Sequence, residues 1–141
     1  MGRPGRETPP AGEDLWVEYV RSSKVRPPLP SGPFLVVGLA RSGAAAAKAL
    51  KALGEAVFGV DTGEPEGLEA LRGAGVEFET SVSGVDRLEG VATVVKSPGV
   101  PESAEVISEA RARGIEIVGE LELGWRLVEA PFVAITGTNG K

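Results

Sequence analysis

Two glycine-rich stretches hold the residue types that grip phosphate. The first is Gly38-Leu39-Ala40-Arg41-Ser42-Gly43, set between the apolar run 34–37 and the helix-forming run 44–53. Gly38 allows a turn that a side chain would oppose. Gly43 lets the next helix pack close to a sheet, and Ser42 can cap that helix through its hydroxyl. A helix N-terminus facing the carboxyl end of a strand offers free N–H groups and the positive end of a dipole. The chemistry on offer is the binding of a phosphate or pyrophosphate. The dinucleotide fingerprint is G-x-G-x-x-G, and Ala40 stands at its middle glycine. An ordinary βα turn that binds nothing fits the same residues.

Two further features bear on that site. Asp61 ends the second apolar run, about 20 residues past the loop, where such folds hold a ribose or base. It also fits a loop carboxylate or a helix cap. The second glycine stretch is Thr136-Gly137-Thr138-Asn139-Gly140-Lys141. Against the phosphate-loop pattern G-x-x-x-x-G-K-[ST], Gly140 and Lys141 fit and Ile135 takes the first glycine position. The hydroxyl residue that would follow Lys141 and reach magnesium is missing, because the chain ends there. That ending reads as a cut inside a larger enzyme.

Composition narrows the classes. The chain has 141 residues, enough for one domain with a real core. A net charge of −5 argues against non-specific nucleic-acid binding. Without cysteine there is no disulfide framework or thiolate metal site, and without histidine the usual general base is missing. No apolar run approaches the roughly 20 residues of a membrane span. The arginines near the N-terminus lack the apolar core of a secretory signal. The default is a soluble cytoplasmic protein.

Positioning these groups requires a sheet. Seven of the eleven prolines fall within residues 1–33, which reads as a flexible or extended arm. Inside it, Leu15, Trp16, Tyr19 and Val20 have helical spacing and suggest a short helix over 14–20 docked on the domain. The pattern then predicts strands over 34–37, 56–60, 76–78, 91–95, 115–118 and 132–136. Helices are predicted over 44–53, 66–72, 102–113 and 120–129, with a loop or helical turn over 86–88. Gly54, Gly73, Gly75 and Gly114 stand where helices stop. The alternation predicts an α/β fold, a Rossmann-like doubly wound parallel sheet of about five strands with flanking helices. Right-handed crossovers bring residues 38–43, 61–63 and 97–99 to one crevice.

With both loops read, residues 34–141 resemble the N-terminal part of the Mur ligase family. The matching residues are Val37-Gly38-Leu39-Ala40-Arg41-Ser42-Gly43, Val60-Asp61, Lys96-Ser97-Pro98-Gly99-Val100-Pro101, Gly114-Ile115-Glu116-Ile117-Val118-Gly119-Glu120-Leu121-Glu122-Leu123 and Ala134-Ile135-Thr136-Gly137-Thr138-Asn139-Gly140-Lys141. The last motif is shared with folylpolyglutamate synthetases. The Ser-Pro-Gly turn and the Gly-Glu-Leu-Glu-Leu stretch favour the branch that adds D-glutamate. The arm before Pro33 has no counterpart, and Ala40 replaces a frequent glycine.

The resemblance implies a three-domain cytoplasmic ligase, monomeric, acting in peptidoglycan synthesis and so in cell shape and division. It would join D-glutamate to UDP-N-acetylmuramoyl-L-alanine with ATP and Mg2+, through an acyl phosphate that the amine then displaces. Residues 1–32 would be an extension, 33–119 the UDP-binding domain, and 120–141 a linker helix and the start of an ATPase domain. In the glycine loop running from Gly38 to Gly43, Leu39, Ala40, Arg41 and Ser42 would supply donors to the diphosphate. Asp61 and Thr62 would lie at the uracil and ribose, and Ser97, Pro98 and Gly99 would complete the pocket. Gly137, Thr138, Asn139, Gly140 and Lys141 would take ATP, with Lys141 as the catalytic lysine at the γ-phosphate. Magnesium ligands and the D-glutamate site would lie beyond Lys141, so no metal site is expected in this chain.

Two other readings compete. An NAD-dependent dehydrogenase domain suits the first loop and Asp61, but not the loop at Gly137 or the lack of histidine. A non-catalytic nucleotide sensor could use the arm around Trp16 to recruit a partner. Residues 132–141 lack neighbouring strands, which predicts a mobile tail or opportunistic pairing at a sheet edge.

Overall fold

An apolar run covered on both faces belongs at the centre of a parallel sheet. Strand β1 (Phe34–Val37), buried at all four residues, takes that place in the computed structural model. The structure describes residues 26–130 together with Gly137 and Thr138. The helix expected over 14–20, the strand expected over 132–136, and Asn139, Gly140 and Lys141 lie outside the described residues.

Around β1 stand β2 (Val57–Val60), β3 (Glu77–Glu79), β4 (Thr93–Lys96) and β5 (Glu116–Gly119). All pairings are parallel and the order is β3-β2-β1-β4-β5. Phe34 pairs with Val57 on one side and Thr93 on the other. The helices are α1 (Arg41–Ala52), α2 (Leu68–Gly73), α3 (Glu105–Ala112) and α4 (Glu120–Leu127), with a 3₁₀ turn at Val85–Arg87. This is the expected five-stranded, doubly wound α/β sheet.

Side chains alternate across a strand, so β1 feeds two cores. Phe34 and Val36 pack with Leu50 of α1, Leu71 of α2 and Leu123 of α4. Leu35 and Val37 pack on the opposite face with Val106, Ile107 and Ala110 of α3 and with Leu88. Burying a Leu or Val side chain fully is worth roughly 1.5–3 kcal/mol, so this central strand anchors both layers.

Helix ends follow the glycines. Gly54 lies just past α1 with φ +84°, its N–H donates to Lys51 O, and Glu55 N–H donates to Leu50 O. Those two bonds satisfy carbonyls that the helix would leave open. Gly75 and Gly114 end α2 and α3 in the same way, and Gly73 is the last residue of α2.

Three helix starts differ from expectation. Helix α2 begins at Leu68 rather than at 66, with Gly67 as its N-cap. The first turn of α1 begins at Arg41 rather than at 44, Ala40 is its N-cap, and no side chain caps it. Ser42 is therefore inside the helix and is not its cap. Gly43 explains the early start, since without a side chain the first turn can close directly against the end of β1. Helix α3 begins at Glu105 rather than at 102. Ala104 N–H turns back to Pro101 O, and Glu102 is drawn off to Lys96 and Arg111.

That ion cluster sets a pH dependence. The hydrogen bond from Arg111, and secondarily that from Lys96, holds the Glu102 carboxyl below the usual carboxylate range. A carboxyl lowered by folding adds stability above its unfolded pKa and loses it as pH falls through the folded value. Glu102→Gln should therefore melt slightly below the parent at neutral pH. Thermal melts of the two should converge in acid, and a gap that persists there would exclude the ion cluster as its cause.

Candidate functional site

A doubly wound sheet opens a crevice where the chain reverses direction across it, at the carboxyl ends of the strands. Here the reversal falls between β1 and β4. A cavity of about 580 Å³ opens at that point, within the usual range for ligand sites. Gly38, Ala40 and Ser42 line it from the loop after β1, Asp61 and Thr62 from the loop after β2, and Ser97, Pro98 and Gly99 from the turn after β4. The three loops expected to share one crevice do share it.

Leu39, Arg41 and Gly43 do not line the cavity. The Leu39 side chain is fully buried in the core, against Gly59 of β2. Its N–H, expected to be free for an anion, donates to Asp61 Oδ2 at 2.7 Å. That corrects the role foreseen for Leu39: a carboxylate of this chain already holds its amide. Arg41 is exposed at the head of α1. Gly43 lies behind the lining, where an added Cβ would stand 1.8 Å from Gly38 O.

Asp61 works as a clamp. Oδ2 takes Leu39 N–H, and Oδ1 takes Gly63 N–H at 2.8 Å. One carboxylate thus ties the loop after β1 to the turn after β2. Asp61→Asn would turn an NH2 group toward one of those donors. We expect a stability loss of about 1 kcal/mol, at the lower end for an unsatisfied donor because the clamp is part-exposed. A urea midpoint unchanged by the substitution would deny the clamp.

Ser97 ties in the third loop. Its hydroxyl donates to Gly38 O at 3.0 Å and also meets a carboxylate oxygen of Glu120, the first residue of α4. Its N–H donates to Val37 O, and its carbonyl accepts Val100 N–H, closing the turn through Pro98 and Gly99. Gly38, with φ +91°, has room for no side chain, because an added Cβ would meet Ser97 Cβ at 2.7 Å.

The electrostatics of the cavity are unusual for an anion site. Its charged lining residues among those described are Asp61 and Glu105, with no Lys or Arg. The N-terminus of α1 has no acidic residue in its first turn and no capping side chain. The N–H groups of Ala40, Arg41, Ser42 and Gly43 have no hydrogen-bond partner among the described residues. Amides and the helix dipole are what this crevice offers a negative group.

Several lining residues were missed: Val82 and Ser83 after β3, and Val100, Pro101 and residues 104–106 at the entry to α3. Following every strand to its carboxyl end would have found them. Of the second glycine loop, Gly137 and Thr138 are described, and both are exposed. Among the described residues, no group of three or more His, Cys, Asp or Glu could hold a metal ion. No described helix is long and apolar enough to cross a membrane.

A parallel sheet in this order, with an uncapped glycine turn at its reversal point, defines a Rossmann-like α/β domain. Within that class the chain belongs to the Mur ligase MurD-like N-terminal domain family, whose model matches residues 33–119. It is 41% identical over 110 residues to the UDP-N-acetylmuramoylalanine–D-glutamate ligase of Ligilactobacillus salivarius, covering 76% of this chain and 24% of that protein. The enzyme of the same name from Thermoanaerobacter pseudethanolicus is 40% identical over 111 residues, with the same coverage. Among solved structures, UDP-N-acetylmuramate-alanine ligase MurC from Thermotoga maritima matches with a TM-score of 0.56 at 25% identity, over 62% of this chain and 20% of that one. A pseudomurein peptide ligase type C from Methanothermus fervidus shares the fold, with a TM-score of 0.55 at 14% identity, over 65% of this chain and 20% of that one. The chain spans about a quarter of the length of the curated relatives it matches.

Proposed function

We propose that the crevice holds the UDP part of UDP-N-acetylmuramoyl-L-alanine, on behalf of an ATP-dependent ligase that adds D-glutamate to it in peptidoglycan synthesis. The observation that carries this reading is the open head of α1, free of acids and caps, at the reversal point of a sheet from this family. The diphosphate lies against the amides of Ala40, Arg41 and Ser42, with the Ser42 hydroxyl beside it. Gly38 and Gly43 bring strand and helix close enough for that. The uridine lies toward Asp61 and Thr62, with Ser97, Pro98 and Gly99 as the facing wall. Leu39 supports the loop from below through its buried side chain.

The remaining assignments belong to the same proposal. Residues 1–32 form an extension, 33–119 the UDP domain, and 120–141 lead into the ATPase domain. Gly137, Thr138, Asn139, Gly140 and Lys141 take the ATP phosphates. Mg2+ would be held by residues beyond Lys141 together with the ATP phosphates. The enzyme works as a cytoplasmic monomer and serves cell shape and division. This domain binds substrate and does no chemistry alone.

Calorimetry tests the reading with three ligands: UDP, UDP-N-acetylmuramoyl-L-alanine and NAD. The two uridine nucleotides should bind and NAD should not. NAD binding in their place, or UDP shifting amide signals away from residues 38–43, would overturn it.

A further inference from the structure

Glu120 reaches the crevice from behind without lining it. It opens α4, and its Oε1 meets the hydroxyl of Ser97, a buried residue just past β4. Its other oxygen, Oε2, is buried and has no hydrogen-bond partner among the described residues. An acid in the first turn of a helix suits the dipole even when it faces water. The dipole therefore does not account for a carboxylate turned inward onto a serine.

The helix presents that carboxylate rigidly. Leu123 is buried in the core, and Arg126 pairs with Glu116 and Glu122 and donates to Pro28 O at 3.1 Å. α4 is thus pinned at its middle and at its far end.

The Ser97 hydroxyl stands between two acceptors, Glu120 Oε1 and Gly38 O, and has one proton to give. Hydrogen bonds to an ionised acceptor are the stronger kind, so the carboxylate rivals the carbonyl. That carbonyl belongs to the peptide between Gly38 and Leu39, whose N–H is held by Asp61 Oδ2 at 2.7 Å. The peptide plane is gripped at its N–H end by Asp61, and at its O end only as far as Ser97 gives its proton there. The open amides of Ala40, Arg41 and Ser42 follow directly in the chain. Ser97 Oγ lies beneath the same helix head, 2.8 Å from where a Cβ on Gly43 would stand.

We infer that Glu120 is a positioning residue. It competes with Gly38 O for the single proton of Ser97, and thereby sets how firmly the glycine loop is held while it presents its amides. Its effect on ligand binding rests on the crevice taking UDP, whereas its effect on the loop does not.

Glu120→Gln replaces the rival acceptor with an amide that can donate to Ser97 Oγ and leave the hydroxyl proton to Gly38 O. In the full chain without ligand, hydrogen exchange at the Leu39 amide, measured relative to the amides of β1, should slow roughly three- to tenfold, the worth of one hydrogen bond. Glu120→Ala should slow it too, by less. UDP should bind Glu120→Gln a few-fold more tightly, because the loop is set before the ligand arrives. In a Ser97→Ala background, Glu120→Gln should change neither reading. Unchanged or faster exchange in Glu120→Gln overturns the inference, since replacing a carboxylate that merely braced α4 would leave the loop alone or loosen it. So does a gain in UDP affinity that survives Ser97→Ala, which would belong to the removed charge acting through space. Where Ser97→Ala fails to fold, raising the salt makes the same separation, because a through-space gain is screened away. If the parent chain binds no UDP, the nucleotide reading fails, and the exchange rates still judge Glu120.

Discussion

Gly43→Ala should destabilise the domain by roughly 3 kcal/mol or more, out of the 5–15 kcal/mol typical of a whole domain. Helix propensity alone points the other way, since alanine inside a helix gains about 0.5–1 kcal/mol over glycine. The close approach decides the sign. A Cβ at position 43 would stand 1.8 Å from Gly38 O and 2.8 Å from Ser97 Oγ. Neither neighbour can step aside freely. Gly38 N–H is bonded to Val60 O at 2.9 Å, and Gly38 O holds the Ser97 hydroxyl. Relief would have to come from lifting α1 off the sheet, which opens the core around Leu50 and Ala47. Gly124 in α4 is the matched control, because an added Cβ there meets nothing within 4 Å. Gly124→Ala should gain the propensity term and move the urea midpoint up. Two upward shifts would show that propensity governs both sites and that the contact at Gly43 is not close.

The contrast between those glycines separates what a sequence reveals from what it hides. The helix stops at Gly54 and Gly114 were readable because the reason is local: a left-handed residue must follow the last turn. β1 was readable for an equally local reason, since four successive apolar residues can be covered on both faces only inside a sheet. The alternation of elements carried the fold class. Strand order is set only in the folded sheet, because nothing local places β4 rather than β3 beside β1.

The site divides along the same line. The three loops came together as foreseen because one topological rule governs all strand ends. The details that failed depend on partners far along the chain. The Leu39 amide is claimed by Asp61, 22 residues away. Ser97 reaches Gly38 O across 59 residues. Ser42 looked like a cap because capping preferences describe helices whose first N–H groups need an internal partner. At this helix those groups are left open, and a rule about satisfying them chose the wrong residue.

That open end makes Ser42→Asp the sharpest test of the proposed binding mode, because stability and affinity should move in opposite directions. Ser42 is the second residue of α1 and lines the cavity. A carboxylate in a first turn that now has no acid should interact favourably with the helix dipole, by about 0.3–1 kcal/mol. The same carboxylate would occupy the place meant for a diphosphate and repel it. Charge-assisted hydrogen bonds are worth about 1.5–3 kcal/mol each. Losing even one weakens UDP binding by roughly ten- to hundredfold. Ser42→Ala, which removes the hydroxyl without adding charge, should cost much less. The loss in Ser42→Asp should also shrink as salt rises, because the screening length falls from about 10 Å at 0.1 M to about 3 Å at 1 M. Thermal melts and UDP titrations on the same three proteins read both signs. If Ser42→Asp were more stable yet bound UDP as well as the parent, the diphosphate could not lie at the head of α1, and the crevice would have to hold its ligand by some other edge.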